Sequence, residues 1–183
     1  MGPEISRSGI VSDFVRADAD ESTRVDRRPK TTLRIGGNVE LLVYAAQSGA
    51  LLERQVTKNL VVKAGRNVFR DLVLTPFGAV GAPPNYIAVG SDNTPVADSQ
   101  TALSAEVFRK LITRRNTGDS AFTLQLFIDG TEANGSGSQS LKEAAVFVYP
   151  GGAPMVARTV FATITKTSAV QVVVNWQFNL AAS

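Results

Sequence analysis

A long alternation of apolar and polar side chains near the C-terminus constrains the fold most. Every second residue from Val170 to Leu180 is apolar, and most of the residues between them are polar. Side chains of a β-strand point alternately to the two faces of a sheet, so the pattern predicts a long strand with one buried face. The apolar set is Val170, Val172, Val174, Trp176, Phe178 and Leu180.

The segment just before this strand is also typical of a β-strand. Residues 157–165 are rich in β-branched and aromatic side chains, and residues 166–168 form a short polar stretch before the alternation begins. Two such runs around a short polar turn predict a β-hairpin. Its apolar face needs a second sheet to cover it. We therefore expect a mainly β protein, an antiparallel β-sandwich or barrel with one or two short helices and an extended N-terminal arm.

Other segments predict the remaining elements, and two of them are ambiguous. Residues 67–74 have apolar side chains at helical spacing, with Asn67 as a possible N-cap, but a further strand also fits. Residues 102–113 favour an amphipathic helix, although a bent strand fits too. Residues 114–118 are expected to be a basic turn. Strands are expected at 39–44, 51–56, 59–62, 85–90, 121–129 and 144–149.

Residues 1–30 differ in composition from the rest of the chain. Twelve of these 30 residues are charged, against 23 of the remaining 153. A segment this polar buries too little apolar surface to offset its ordering entropy. We expect an arm that either remains disordered or becomes ordered on a partner. Its candidate partner-binding residues are Ile10, Val11, Phe14, Val15, Arg24, Arg27 and Arg28.

The domain boundaries follow from this change in composition. Residues 1–30 are assigned to the extended arm and residues 31–183 to the β-sandwich domain. Within that domain, residues 31–75 are a candidate sub-lobe packed on residues 85–183, because a Gly- and Pro-rich stretch separates the two.

The composition argues against most catalytic and metal-binding functions. The chain has no cysteine and no histidine, which removes thiol nucleophiles, disulfides, the usual zinc ligands and histidine acid–base chemistry. Asp18 to Ser22 resembles the start of a calcium loop but lacks the required glycine and distal glutamate. We therefore predict a protein that is not an enzyme, with no catalytic residue, no cofactor and no metal site.

The charge distribution bears on possible partners. The net charge is only +3, and the basic residues are scattered, so a specific nucleic-acid partner is not expected. The sequence contains no run of about 18 apolar residues and no signal-peptide pattern, so no membrane partner is expected either. Long strands with bare edges invite association, which points to an assembly protein that binds copies of itself, as a trimer or another symmetric ring.

Several motifs resemble a known group of proteins. Five segments occur in this order: residues 59–67 (NLVVKAGRN), 85–90 (NYIAVG), 101–109 (TALSAEVFR), 157–167 (ARTVFATITKT) and 172–176 (VVVNW). The series resembles structural proteins of tailed bacteriophages, over residues 40–180. In such proteins a Gly- and Thr-rich sequence usually follows the second motif, whereas this chain has Ser91, Asp92 and Asn93 there.

The resemblance implies a function and a location. It implies a virion protein, assembled in the cytoplasm of the bacterial host, that decorates and cements the head by binding the major capsid protein. The alternative is a tail, baseplate or fibre component that binds tail proteins, with host-surface binding as a further possibility.

Overall fold

The computed structural model describes residues 33–74 and 82–182. The chain divides into two units between Thr31 and Thr32, and the description below concerns the second, Thr32–Ser183. All seven candidate binding residues of the arm, and the calcium-like stretch that begins at Asp18, lie outside the described residues. No helix among the described residues is long and apolar enough to cross a membrane.

The described chain forms two antiparallel sheets packed against each other, which confirms the predicted mainly β sandwich. The elements, in chain order, are β1 (Leu33–Gly36), β2 (Asn38–Ala45), β3 (Leu51–Lys58), β4 (Leu60–Val61), α1 (Lys63–Leu74), β5 (Tyr86–Gly90), β6 (Glu106–Leu111), β7 (Arg114–Thr117), β8 (Ala121–Ile128), β9 (Ser138–Phe147), β10 (Met155–Thr167) and β11 (Val170–Ala182).

The first sheet has the order β3-β2-β11-β8-β7, and β1 pairs with the last residues of β11. The second has the order β4-β10-β9-β5-β6. The stretch 33–74 contributes β1, β2 and β3 to the first sheet and β4 to the second, so its strands are shared between both layers. The strand predicted from the alternation, β11, lies at the centre of the first sheet between β2 and β8.

The core lies between the two sheets. Trp176 and Phe178 of β11 are fully buried, as the alternation predicted, and they face apolar side chains of β9 and β10. The edge strand β3 also reaches the second sheet, because the Gln55 side chain forms two hydrogen bonds with the backbone of Ala162, at 3.0 and 3.1 Å. These bonds close the sandwich at the point where the pairing of β10 with β9 is interrupted.

The predicted hairpin between residues 157–165 and the last strand is wrong. β10 pairs with β4 and β9 in the second sheet, whereas β11 pairs with β1, β2 and β8 in the first. The two residues between them, Ser168 and Ala169, carry the chain from one layer to the other. A hairpin and a crossing between layers have the same local pattern, because in both cases two strands with one apolar face flank a short polar turn.

Two other local predictions are also wrong. Residues 102–113 do not form a helix; their centre is the strand β6, which pairs with β5 at the edge of the second sheet. A strand was the alternative that the sequence also allowed. Residues 114–117 are not a turn but the strand β7, because the chain crosses at Ile112 and Thr113 to the first sheet and pairs with β8. The described residues contain one helix.

That helix, α1, begins four residues before Asn67, so the predicted N-cap is wrong. The first helical N–H group, that of Lys63, donates instead to the carbonyl of Asp98 at 3.0 Å. A distant loop therefore satisfies the helix N-terminus, which local sequence cannot reveal.

The loop of residues 91–105 covers the outer face of the second sheet. It buries an apolar patch there that includes Ala145, Phe147 and Met155. Beneath it Arg158 and Glu143 form an ion pair with both side chains fully buried and an N–O distance of 2.7 Å. Arg158 also donates to the carbonyl of Thr94 at 2.9 Å, and Glu143 accepts from the Ala105 N–H at 2.9 Å. The pair thus fixes both ends of the loop to the sheet.

Helix α1 packs so closely on β10 that only glycine fits at position 65. A Cβ on Gly65 would lie 2.6 Å from the carbonyl carbon of Val156, which is backbone that cannot move aside. In an open helix Gly→Ala would stabilise by about 1 kcal/mol. Here we expect Gly65→Ala to lower the free energy of unfolding by about 2 kcal/mol, because the overlap outweighs the gain in helix propensity. Urea denaturation measures the change.

Gly36→Ala is the matched control for this prediction. Nothing lies within 4 Å of a Cβ placed on Gly36. We expect this variant to unfold within about 0.5 kcal/mol of wild type, as surface substitutions usually do. Equal stability of the two variants would contradict the close packing of α1 on β10.

Candidate assembly surface

An apolar cleft lies where α1, β1, β8 and β11 meet at one end of the first sheet. It has a volume of about 460 Å³, and we call it the end cleft. Apart from the side chains of Arg66 and Arg70, its walls are apolar. The apolar lining residues are Leu33, Ile35, Phe69, Leu72, Val73, Leu74, Phe122 and Leu180.

Three aromatic rings support the end cleft. Phe69 of α1 makes edge contacts with Phe122 and Phe178, with ring centroids 6.4 and 5.8 Å apart. Phe122 and Phe178 are stacked at 4.9 Å. The cluster joins the cleft to the buried core, so its floor is rigidly held.

Three large apolar side chains in the walls of the end cleft are exposed to solvent. Val73 is 83% exposed, Leu74 71% and Leu33 65%. Covering such a side chain stabilises by about 1.5–3 kcal/mol. A contiguous exposed patch of this kind is typical of a surface that another chain covers.

Two arginines bring positive charge to the end cleft. Arg66 forms two hydrogen bonds with the Asp98 carboxylate, at 2.6 and 2.8 Å, and Arg70 pairs with Asp71 at 2.6 Å. The Asp98 carboxylate raises the pKa of Arg66, and the Arg66 guanidinium holds the pKa of Asp98 below its ordinary value. Both arginine side chains remain at least half exposed, so they can donate to a further carboxylate.

A second apolar surface follows the edge of the first sheet. Leu51, Leu52 and Val56 of β3 are exposed, and we call them the edge patch. Among the described residues no strand pairs with the outer edge of β3. An unpaired edge with apolar side chains favours contact with another chain.

A row of polar contacts holds β3 in place behind the edge patch. Gln125 donates to Asn175 at 2.8 Å, Asn175 donates to Glu40 at 3.0 Å, and Arg54 donates to Glu40 at 2.7 Å. The row spans four strands of the first sheet. The hydrogen bond from Asn175 and the bond from Arg54 hold the pKa of Glu40 below its ordinary value.

Neither the end cleft nor the edge patch was predicted from the sequence. The signal for the end cleft was present in residues 72–74, where three consecutive apolar side chains exceed what one face of a helix can bury. The two arginines of the segment 114–118 are on β7, where Arg115 donates to Pro84 and Asn85 at 2.8 and 2.7 Å. The described residues contain no cluster of three or more acidic side chains placed to hold a metal ion.

Comparison of the chain with protein-family models, with curated proteins and with solved structures finds no match.

Proposed function

We propose that this chain is a structural protein of a tailed-phage particle that decorates the capsid and acts by adhesion without catalysis. In this proposal the end cleft receives the apolar segment 10–15 from the arm of a neighbouring copy. The sandwich and the arm then bind across neighbouring subunits of the major capsid protein.

The observation that carries the assembly role is the exposed apolar wall of the end cleft. Leu33, Val73 and Leu74 are exposed to water in the folded domain. An exposed apolar patch of this kind is typical of a surface that another chain covers. The edge patch supports the same role on a second side of the domain. The phage setting is supported by the sequence motifs. Residues 85–90 lie at β5, residues 101–109 at the end of the covering loop and on β6, and residues 157–167 on β10.

Size and charge support the arm as the occupant of the end cleft. The segment 10–15 contains Ile10, Val11, Phe14 and Val15, and a volume of about 460 Å³ accommodates two or three such side chains. Asp13 lies within the segment, and the cleft carries Arg66 and Arg70. Opposite charges beside an apolar contact favour one register of docking over others.

Copy number on purified particles tests the proposed role. Quantitative mass spectrometry of purified virions should find hundreds of copies, because a decoration protein follows the capsid lattice. A few to a few dozen copies would instead support the tail, baseplate or fibre alternative. Absence from the particle would exclude both.

A further inference from the structure

Lys166 is an unusual lysine because its side chain is fully buried. It lies in β10 two residues after the buried Ile164, on the inward face of the strand. Its Nζ donates to Asn134 Oδ1 at 2.7 Å and to the carbonyl of Thr167 at 2.9 Å. Both acceptors are neutral, and among the described residues no carboxylate lies within ion-pairing distance of Lys166.

Burial of this kind disfavours the charged form of the amine. Desolvation lowers the pKa of Lys166, although the charges of Asp129 and Glu132 nearby oppose the shift. Neither carboxylate is directed at Lys166, since Asp129 accepts from Thr131 and Glu132 pairs with Lys110 at 2.7 Å. A neutral, desolvated amine is a nucleophile.

The carboxamide of Asn134 is held in place beside this amine. Its Nδ2 donates to the carbonyl of Gly130 at 2.7 Å, while its Oδ1 accepts from Lys166. The loop that carries it turns sharply, with positive φ at Ala133, Gly135 and Gly137. Since a C=O bond is about 1.2 Å long, the distance from Lys166 Nζ to Asn134 Cγ is at most about 3.9 Å. This is close to the distance from which a positioned nucleophile attacks.

The geometry points to an intramolecular isopeptide bond between Lys166 Nζ and Asn134 Cγ. In its neutral form Nζ attacks Cγ, and the π electrons of the carboxamide move onto Oδ1. The tetrahedral centre then collapses, the Cγ–Nδ2 bond breaks, and Nδ2 leaves as ammonia with a proton that comes from Nζ. A lysine amine and an asparagine amide thus become one secondary amide and ammonia, with no oxidant or other reactant.

Asp129 and Glu132 lie near enough to Lys166 for their charges to act on it, with the larger effect from Asp129. Neither contacts Nζ, and Glu132 is already paired with Lys110. The proton therefore passes from Nζ to Nδ2 within the tetrahedral centre.

The bond would tie the loop between β8 and β9 to the end of β10. Asn134 lies in that loop, four residues before β9, and Lys166 pairs with Gln139 of β9. A covalent link there closes a loop of the unfolded chain between residues 134 and 166. The bond is independent of the proposed function.

Mass spectrometry of the full-length wild-type protein tests the inference. We expect a tryptic digest to contain residues 116–142 joined to residues 159–183, lighter by one ammonia than the sum of the two peptides. The peptide 159–166 should be absent, because trypsin does not cut after an acylated lysine. Asn134→Ala and Lys166→Met should each restore the unlinked masses.

The wild-type digest alone can overturn the inference, so it does not depend on whether a variant folds. Full release of unmodified peptide 159–166, with peptide 116–142 at its sequence mass, would show that Lys166 only hydrogen-bonds to Asn134. Copy number on particles is a separate measurement, so either proposal can fail without the other.

Discussion

Replacing Arg158 by methionine is expected to lower the free energy of unfolding by about 3–5 kcal/mol, as removal of one partner from a buried ion pair typically does. Arg158 fills a fully buried site, and the substitution leaves the Glu143 carboxylate without its countercharge in that site. It also removes the hydrogen bonds to Thr94 and Gln100, at 2.9 and 3.0 Å, that hold the covering loop. Urea denaturation followed by tryptophan fluorescence measures the loss, since Trp176 is the only tryptophan and is buried.

Two controls separate this effect from loss of a positive charge in general. Arg54→Met removes an exposed pair with Glu40, whose side chains are 62% and 29% exposed, and should cost less than about 1 kcal/mol. The double variant Glu143→Gln with Arg158→Met should be more stable than Arg158→Met alone, because a buried amide needs no countercharge. If Arg158→Met unfolds within 1 kcal/mol of wild type, the buried pair does not hold the loop.

The second large effect is expected on association. Replacing Val73 and Leu74 together by glutamine in the full chain should weaken self-association about 30-fold, which corresponds to about 2 kcal/mol. Both side chains are exposed and would be covered by the segment 10–15 of a neighbouring copy. Glutamine has a higher helix propensity than valine, so α1 should remain folded. Sedimentation equilibrium over a range of protein concentrations measures the dissociation constant.

The matched control carries the same substitutions elsewhere. Val107 and Leu111 of β6 are also exposed, at 37% and 57%, and lie outside the end cleft. Their double glutamine variant should associate as wild type does. Equal weakening by the two variants would show that general surface hydrophobicity drives association, and no weakening by either would remove the end cleft from the interface.

The strands that alternate could be predicted because period-2 patterning is a local property. Trp176 and Phe178 were assigned to the buried face from sequence alone, and they are fully buried in the core. The partner of that strand could not be predicted in the same way. Whether β10 and β11 share a sheet depends on which faces other strands cover, and those contacts are distant in sequence.

In the segment 102–113 the local pattern predicted the wrong secondary structure. Its apolar residues Leu103, Val107 and Leu111 have helical spacing, yet Leu103 packs on the outer face of the second sheet while Val107 and Leu111 are exposed on β6. Edge pairing with β5 overrode the local preference. The burial of Glu143 and Arg158 could not be predicted either, because the residues next to them in the sequence do not distinguish a buried charged residue from an exposed one.

Of the proposed contact between the end cleft and the arm, only the arm was predicted from the sequence. The sequence singled out Ile10 to Val15 as an anchor, which stays a prediction because these residues lie outside the described ones. The end cleft arises where four elements meet and could not be seen before the fold. Its one local sign is the run of apolar residues that ends α1.

Site-specific photo-crosslinking in the full-length protein tests the docking of one copy's arm on another most directly. A photoreactive phenylalanine derivative would replace Val73 in the wall of the end cleft, and chains with light and heavy nitrogen would be mixed before irradiation. We expect links from position 73 to residues 10–15, with light and heavy chains joined to each other. Links that join only residues of the same chain, or that never reach residues 10–15, would contradict the proposed docking between copies.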